Sequence, residues 1–201
     1  MKKTIRLLVE GLFDDLYDIE DNKNLDTEFA DKIIYKFHPE SFNDLRSLLK
    51  KLLKERGNDA NLNDIDISQV DTFWNVTLKI GLFEELDPHN IDISQWDVSH
   101  VKSMACTFFK CRNFNCNLSK WDVSNVTNMN NMFRSCEKFT GKGLENWKVN
   151  KVLYMNSMFH ECENFTGECL KNWKVNKFLE ARYTFAFSGV KEFPNWYKIK
   201  I

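Results

Sequence analysis

Four tryptophans constrain this chain more than any other feature. Trp96, Trp121, Trp147 and Trp173 stand 25, 26 and 26 residues apart. The residues around them agree column by column. Three positions before each Trp are Ile93, Leu118, Leu144 and Leu170, and two after are Val98, Val123, Val149 and Val175. Twelve after are Phe108, Phe133, Phe159 and Phe185. A cysteine column, Cys111, Cys136 and Cys162, ends in Ser188, and a Phe column, Phe114, Phe139 and Phe165, ends in Lys191. Self-similarity at a fixed period implies units too small to fold alone, each burying its apolar residues on the next.

A period of 25 or 26 residues lies in the leucine-rich-repeat range and leaves room for one short strand, one short helix and two turns. In the copy NLSKWDVSNVTNMNNMFRSCEKF, residues 117–139, the spacing of Met129, Met132, Phe133 and Cys136 predicts a helical face. Asn125 or Thr127 would cap it, and CNLS, 116–119, would supply the strand. The expected fold class is α/β, a short leucine-rich-repeat-like solenoid with a helical N-terminal cap. The cap covers 1–60 and the solenoid 61–201. The solenoid divides into a degenerate first coil at 61–89, coils at about 90–114, 115–139, 140–165 and 166–193, and a C-terminal cap at 194–201. The first coil is read from Ile65–Val70, which matches Ile91–Trp96. Counting on from Val70 places Leu78 in the Met104 column and Leu82 in the Phe108 column.

The N-terminal part differs in kind. Helical spacing of apolar residues runs over 4–17, 27–37 and, most clearly, 41–56, where Phe42, Leu45, Leu48, Leu49, Leu52 and Leu53 share a face. Ser41 is the expected N-cap, Asp44 the acidic member of a capping box, and Gly57 the stop.

A net charge of -1 gives no global attraction to nucleic acid or to an anionic membrane. It hides an asymmetry: residues 1–90 carry 12 Lys/Arg against 19 Asp/Glu, and 91–201 carry 16 against 10. The opening MKKTIRLLVEGLFDD begins like a signal peptide, but Glu10, Asp14 and Asp15 interrupt it and no small-residue cleavage site follows. No apolar stretch approaches a membrane span. The expected location is cytoplasmic, or the host cytoplasm if the chain is of phage or viral origin, and the six cysteines are expected as free thiols.

With WDVSNVTNM at 121–129, Met132-Phe133 and Cys136, the chain resembles the BspA-like leucine-rich-repeat family, also known as the mycoplasma-type family of unknown function. The resemblance covers roughly residues 61–193. It implies a leucine-rich-repeat fold and says little about function. Related repeats occur in bacterial surface proteins that bind host proteins and in proteins of bacteria, phages, large viruses and protists. The expected function is a non-catalytic, protein-binding repeat protein, in one form a phage- or virus-encoded inhibitor of a host factor. The alternatives are a structural or assembly component that self-associates and a surface adhesin-like protein. Not an enzyme, no cofactor and no metal are the matching expectations. The partners are a protein, with a nucleic-acid-binding host protein and a second copy of the chain as candidates.

Residue chemistry supplies few catalytic candidates. No zinc-protease, nucleophile-elbow or phosphate-loop motif is present, and His38, His89, His100 and His160 are scattered. Trp96, Trp121, Trp147, Trp173, Phe108, Phe133, Phe159, Phe185, Cys111, Cys136 and Cys162 form the structural ladder. The Asp64 and Asp66 pair reads as turn capping more readily than as metal ligands. The surface columns are the binding candidates. One residue after each Trp come Asp97, Asp122, Lys148 and Lys174; four after come His100, Asn125, Lys151 and Lys177. With Lys171 they form a stripe turning from acidic and polar to basic. It is either a plain solvated face, a protein contact, or a contact for a nucleic-acid backbone.

Overall fold

The computed structural model describes residues 35–197, within a compact unit that runs Ile34–Ile201. Among the described residues the one α-helix, α1, spans Phe42–Arg56. The Ser41 hydroxyl accepts the amide of Asp44 at 3.2 Å, satisfying one of the free N–H groups of the first turn. At the other end Gly57 has a φ of 85°, a region costly for residues with a Cβ, and its amide donates to Leu53. Phe42, Leu45, Leu49, Leu52 and Leu53 are buried against the rest of the molecule. The expected helix at 4–17 lies outside the described residues. Of 27–37 only Tyr35–Phe37 is described, and there Phe37 forms a parallel bridge with Ile65 and is not helical.

Beyond α1, β1 (Trp74–Asn75) and β2 (Ile80–Gly81) form an antiparallel hairpin, and Glu168–Leu170 makes one 3-10 turn. These elements correct the expected α/β leucine-rich-repeat-like solenoid. Among the described residues there is one helix and one two-stranded hairpin, and no unit carries its own strand and helix. Solenoid and leucine-rich repeat therefore do not describe this fold. The functions argued from a repeat scaffold fall with it: the protein-binding repeat protein, the inhibitor of a host factor, the self-associating assembly component and the adhesin-like protein.

The segment read as a helix shows why. Met129, Met132, Phe133 and Cys136 are all fully buried, as their spacing required, but the backbone between them makes successive turns. Met132 donates to Met129, Arg134 to Asn131 and Cys136 to Phe133, each three residues back. Asn131 and Ser135 have φ values of 55° and 61°, which no α-helix admits. The alternate amides turn outward to the following segment: Met129 to Tyr154, Asn131 to Asn156, Phe133 to Met158 and Ser135 to His160, at 2.8–3.0 Å. The 25–26-residue period survives in who touches whom. Single parallel bridges join Thr72 to Ser103, Ser103 to Asn128, Asn128 to Tyr154 and Tyr154 to Glu180.

Aromatic rings fill the space enclosed by these turns. Phe83, Phe108, Phe133, Phe159 and Phe185 follow one another at centroid separations of 5.1, 5.6, 5.7 and 5.9 Å, with near-parallel planes. Stacked rings at this spacing add to the burial that drives folding. Phe83, not Leu82, meets Phe108. The hairpin β1–β2 intervenes between Val70 and that position, and it leaves Leu78 64% exposed at its tip instead of in the core. Counting along the sequence misplaces this segment because a hairpin changes the number of residues needed to reach the stack.

Candidate interaction surface at the C-terminal edge

The expected ladder residues are interior. Trp96, Trp121, Trp147 and Trp173 are buried, and each indole N–H donates to a backbone carbonyl one period earlier: Leu62, Ile93, Leu118 and Leu144, at 2.8–3.2 Å. The thiols of Cys111, Cys136 and Cys162 donate to the carbonyls of Phe83, Phe108 and Phe133 at 3.2, 2.9 and 2.9 Å. Burial pushes all three thiols up, Cys162 to about 12, so a reactive thiolate is not available.

The expected binding columns are largely committed to the protein itself. His100 Nε2 lies 3.1 and 3.2 Å from the carbonyls of Val70 and Ile67. Asn125 donates to Ser99 O at 2.8 Å and accepts from Lys151 Nζ at 2.7 Å. Lys171 pairs with Glu168, and the Lys177 ammonium sits 4.8 Å from the centroid of Phe178. Lys148 and Lys174 are exposed. Asp122 is held below its ordinary value mainly by hydrogen bonds from Ser124, with Lys148 and Lys151 adding to the effect. Asp64 is tied to Arg56 by two hydrogen bonds of 2.9 Å, and Asp66 accepts the amide of Ser68 at 3.0 Å.

A different surface emerges from the backbone. Each row of turns sends its outward amides toward the C-terminal side and receives amides on its carbonyls from the N-terminal side. Met104, Cys106, Phe108 and Lys110 donate to Asn128, Asn130, Met132 and Arg134; Met155, Ser157, Phe159 and Glu161 donate to Glu180, Arg182, Thr184 and Ala186. The next four amides in register are those of Ala181, Tyr183, Phe185 and Phe187. Among the described residues these have no hydrogen-bond acceptor. The row 181–187 is therefore an edge of donors.

Side chains single out the same row. Two positions in every row have positive φ: 106 and 110, 131 and 135, 157 and 161, 183 and 187. The earlier rows carry Cys106 and Lys110, Asn131 and Ser135, Ser157 and Glu161. The last row carries Tyr183 and Phe187, at φ 56° and 57°, where a bulky side chain costs about 1–2 kcal/mol. Both rings stand in solvent, 70% and 80% exposed, and Phe178, five residues before Tyr183 in the chain, is 70% exposed. Below the edge the core is closed by Phe193, Trp196 and Tyr197, which pack on Phe185 at 5.8, 6.0 and 4.8 Å. The aromatic pair was legible as a column substitution. Its exposure was not, because aromatics elsewhere in the period are core.

Residues 77–196 match the family described as Mycoplasma protein of unknown function, DUF285. The chain belongs to this family. The match runs from the hairpin through all four tryptophans of the period to Trp196, and so includes the 181–187 edge. No curated protein and no solved structure matches the chain. Among the described residues no helix is long and apolar enough to cross a membrane.

Proposed function

We propose that this chain is not an enzyme and that it works by taking up a segment of another polypeptide on the edge formed by residues 181–187. The observation that carries this reading is the pairing of four amides that have no acceptor among the described residues with two exposed aromatic side chains in one row. Backbone donors give a polypeptide its register, and apolar side chains on either side supply the affinity. Exposed aromatic clusters on a protein surface mark contact sites more often than chance placement. The lysine columns are not part of this reading. We place the protein in a reducing compartment such as the cytoplasm, supported by six cysteines that are all free thiols.

The test is affinity capture with the intact chain and with a Tyr183→Ser, Phe187→Ser double variant. A polypeptide retained by the wild type and lost with the variant supports the reading. Capture that is indifferent to both substitutions overturns it.

A further inference from the structure

The two ends of the row stack are chemically opposite, and the N-terminal end shows how such an end is closed. There the free groups are carbonyls. Ser103 O accepts the amide of Phe73, and Thr107 O accepts that of Phe83, both at 2.8 Å. The carbonyls of Gly81, Leu82 and Glu84, left over on the outer side, are gathered by one guanidinium. Arg46 of α1 donates to them at 2.8, 2.7 and 2.7 Å. A cation covers the acceptor end.

The C-terminal end has the complementary polarity. A row of parallel N–H groups carries a partial positive charge, as successive amides do in anion-binding turns. The charges flanking it in the sequence are mostly of the same sign. Residues 171–193 hold Lys171, Lys174, Lys177, Arg182 and Lys191 against Glu180 and Glu192. Arg182 lies in the row, Lys177 and Lys191 stand four residues before and after it in the chain, and all three are exposed.

Resting on the reading above, we propose that the occupant of the 181–187 edge is an extended, acidic segment of another protein. It accepts the four amides on its own backbone carbonyls and sets carboxylates against Lys177, Arg182 and Lys191. The amide-to-carbonyl distances already present between rows, 2.7–2.9 Å for the donors Met155 to Glu161, show the geometry such a segment would meet. A second copy of this chain does not fit. Edge to edge it would bring donors against donors, and at its opposite end Phe73 and Phe83 already occupy the carbonyls of Ser103 and Thr107, with Arg46 on those of Gly81, Leu82 and Glu84.

The experiment selects displayed random peptides of about twelve residues on the intact immobilised protein, long enough to span a seven-residue edge. The most enriched peptides are then synthesised and titrated in solution. The expected result is peptides rich in Asp and Glu that shift the amide resonances of Ala181, Tyr183, Phe185 and Phe187. Their affinity should fall at least about ten-fold with Lys177→Glu, Arg182→Glu and Lys191→Glu together, and fall with added salt. Replacing the peptide's own amides by esters keeps its carbonyls and removes its donors. On a one-way donor edge this should cost less than about three-fold, and a loss above about ten-fold overturns the proposed pairing. Neutral or basic peptides that bind at the same amides overturn the acidic chemistry and leave the edge as a contact site. No enriched peptide, or shifts confined to other residues, overturns both.

Discussion

Trp147 Nε1 donates to the carbonyl oxygen of Leu118 at 3.2 Å, and Leu118 stands three residues before the preceding tryptophan, Trp121. Trp121 reaches Ile93, Trp173 reaches Leu144 and Trp196 reaches Leu170 in the same way, so one side-chain hydrogen bond fixes the register of each segment on its neighbour. Trp147→Phe keeps most of the ring volume and removes one of two hydrogen bonds to the Leu118 carbonyl, which still accepts the Trp121 amide at 3.1 Å. The expected cost is about 0.5–1.5 kcal/mol in urea unfolding. No change in stability would contradict a register held by the indole N–H.

The positive-φ positions supply a second check on the turns. Ser157 has a φ of 55°, and its side chain has no hydrogen-bond partner among the described residues. Ser157→Gly should stabilise the fold by up to about 1 kcal/mol, while Ser157→Val should destabilise it by about 1–2 kcal/mol. In an α-helix the order would reverse, because glycine is the poorer helix former. Thermal unfolding of the two variants decides between them.

The architecture was partly legible in the sequence. Ser41, Asp44 and Gly57 marked α1 because caps are local chemistry, and the Trp, Phe and Cys columns named the core because burial follows the period. The local backbone was not legible. Spacings of three, one and three at Met129, Met132, Phe133 and Cys136 put four side chains on one side of a helix, and they do the same for consecutive turns closed three residues back. What distinguishes the two is the direction of the intervening amides, which is settled by contact with the next row. The columns of exposed residues were legible as columns but not as contacts. His100 and Asn125 sit instead against backbone carbonyls of the preceding segment, Val70 and Ile67 for His100 and Ser99 for Asn125.

Thiol reactivity should separate the cysteines by depth. Cys111, Cys116, Cys136 and Cys162 are buried, while Cys106 and Cys169 are half-buried with thiols pushed up to about 12 and about 11. In native buffer near neutral pH, Cys106 and Cys169 should react slowly with an aromatic disulfide reagent and the other four only after denaturant is added. Rapid native labelling of Cys136 would contradict its place beneath the turns.

The Arg56–Asp64 pair gives a dependence on pH. Hydrogen bonds from Arg56 hold the Asp64 carboxyl below its ordinary value of 3.8. A carboxyl with a depressed folded value contributes stability above its unfolded value and loses it as pH falls through the folded one. Asp64→Asn should therefore cost about 1–2 kcal/mol near neutral pH and nearly nothing at a pH well below 3.8. A cost unchanged at acid pH would assign the effect to packing.

Residue-resolved amide hydrogen exchange on the free protein tests the one-way ladder most directly. The amides of Met129, Asn131, Phe133 and Ser135, and those of Met155, Ser157, Phe159 and Glu161, should exchange slowly, since each is bonded to the next row. Those of Ala181, Tyr183, Phe185 and Phe187 should exchange fast, with Tyr183 and Phe187 fastest. Equal protection across all three rows would mean that the edge is already closed, and would contradict the open donor row on which the functional reading stands.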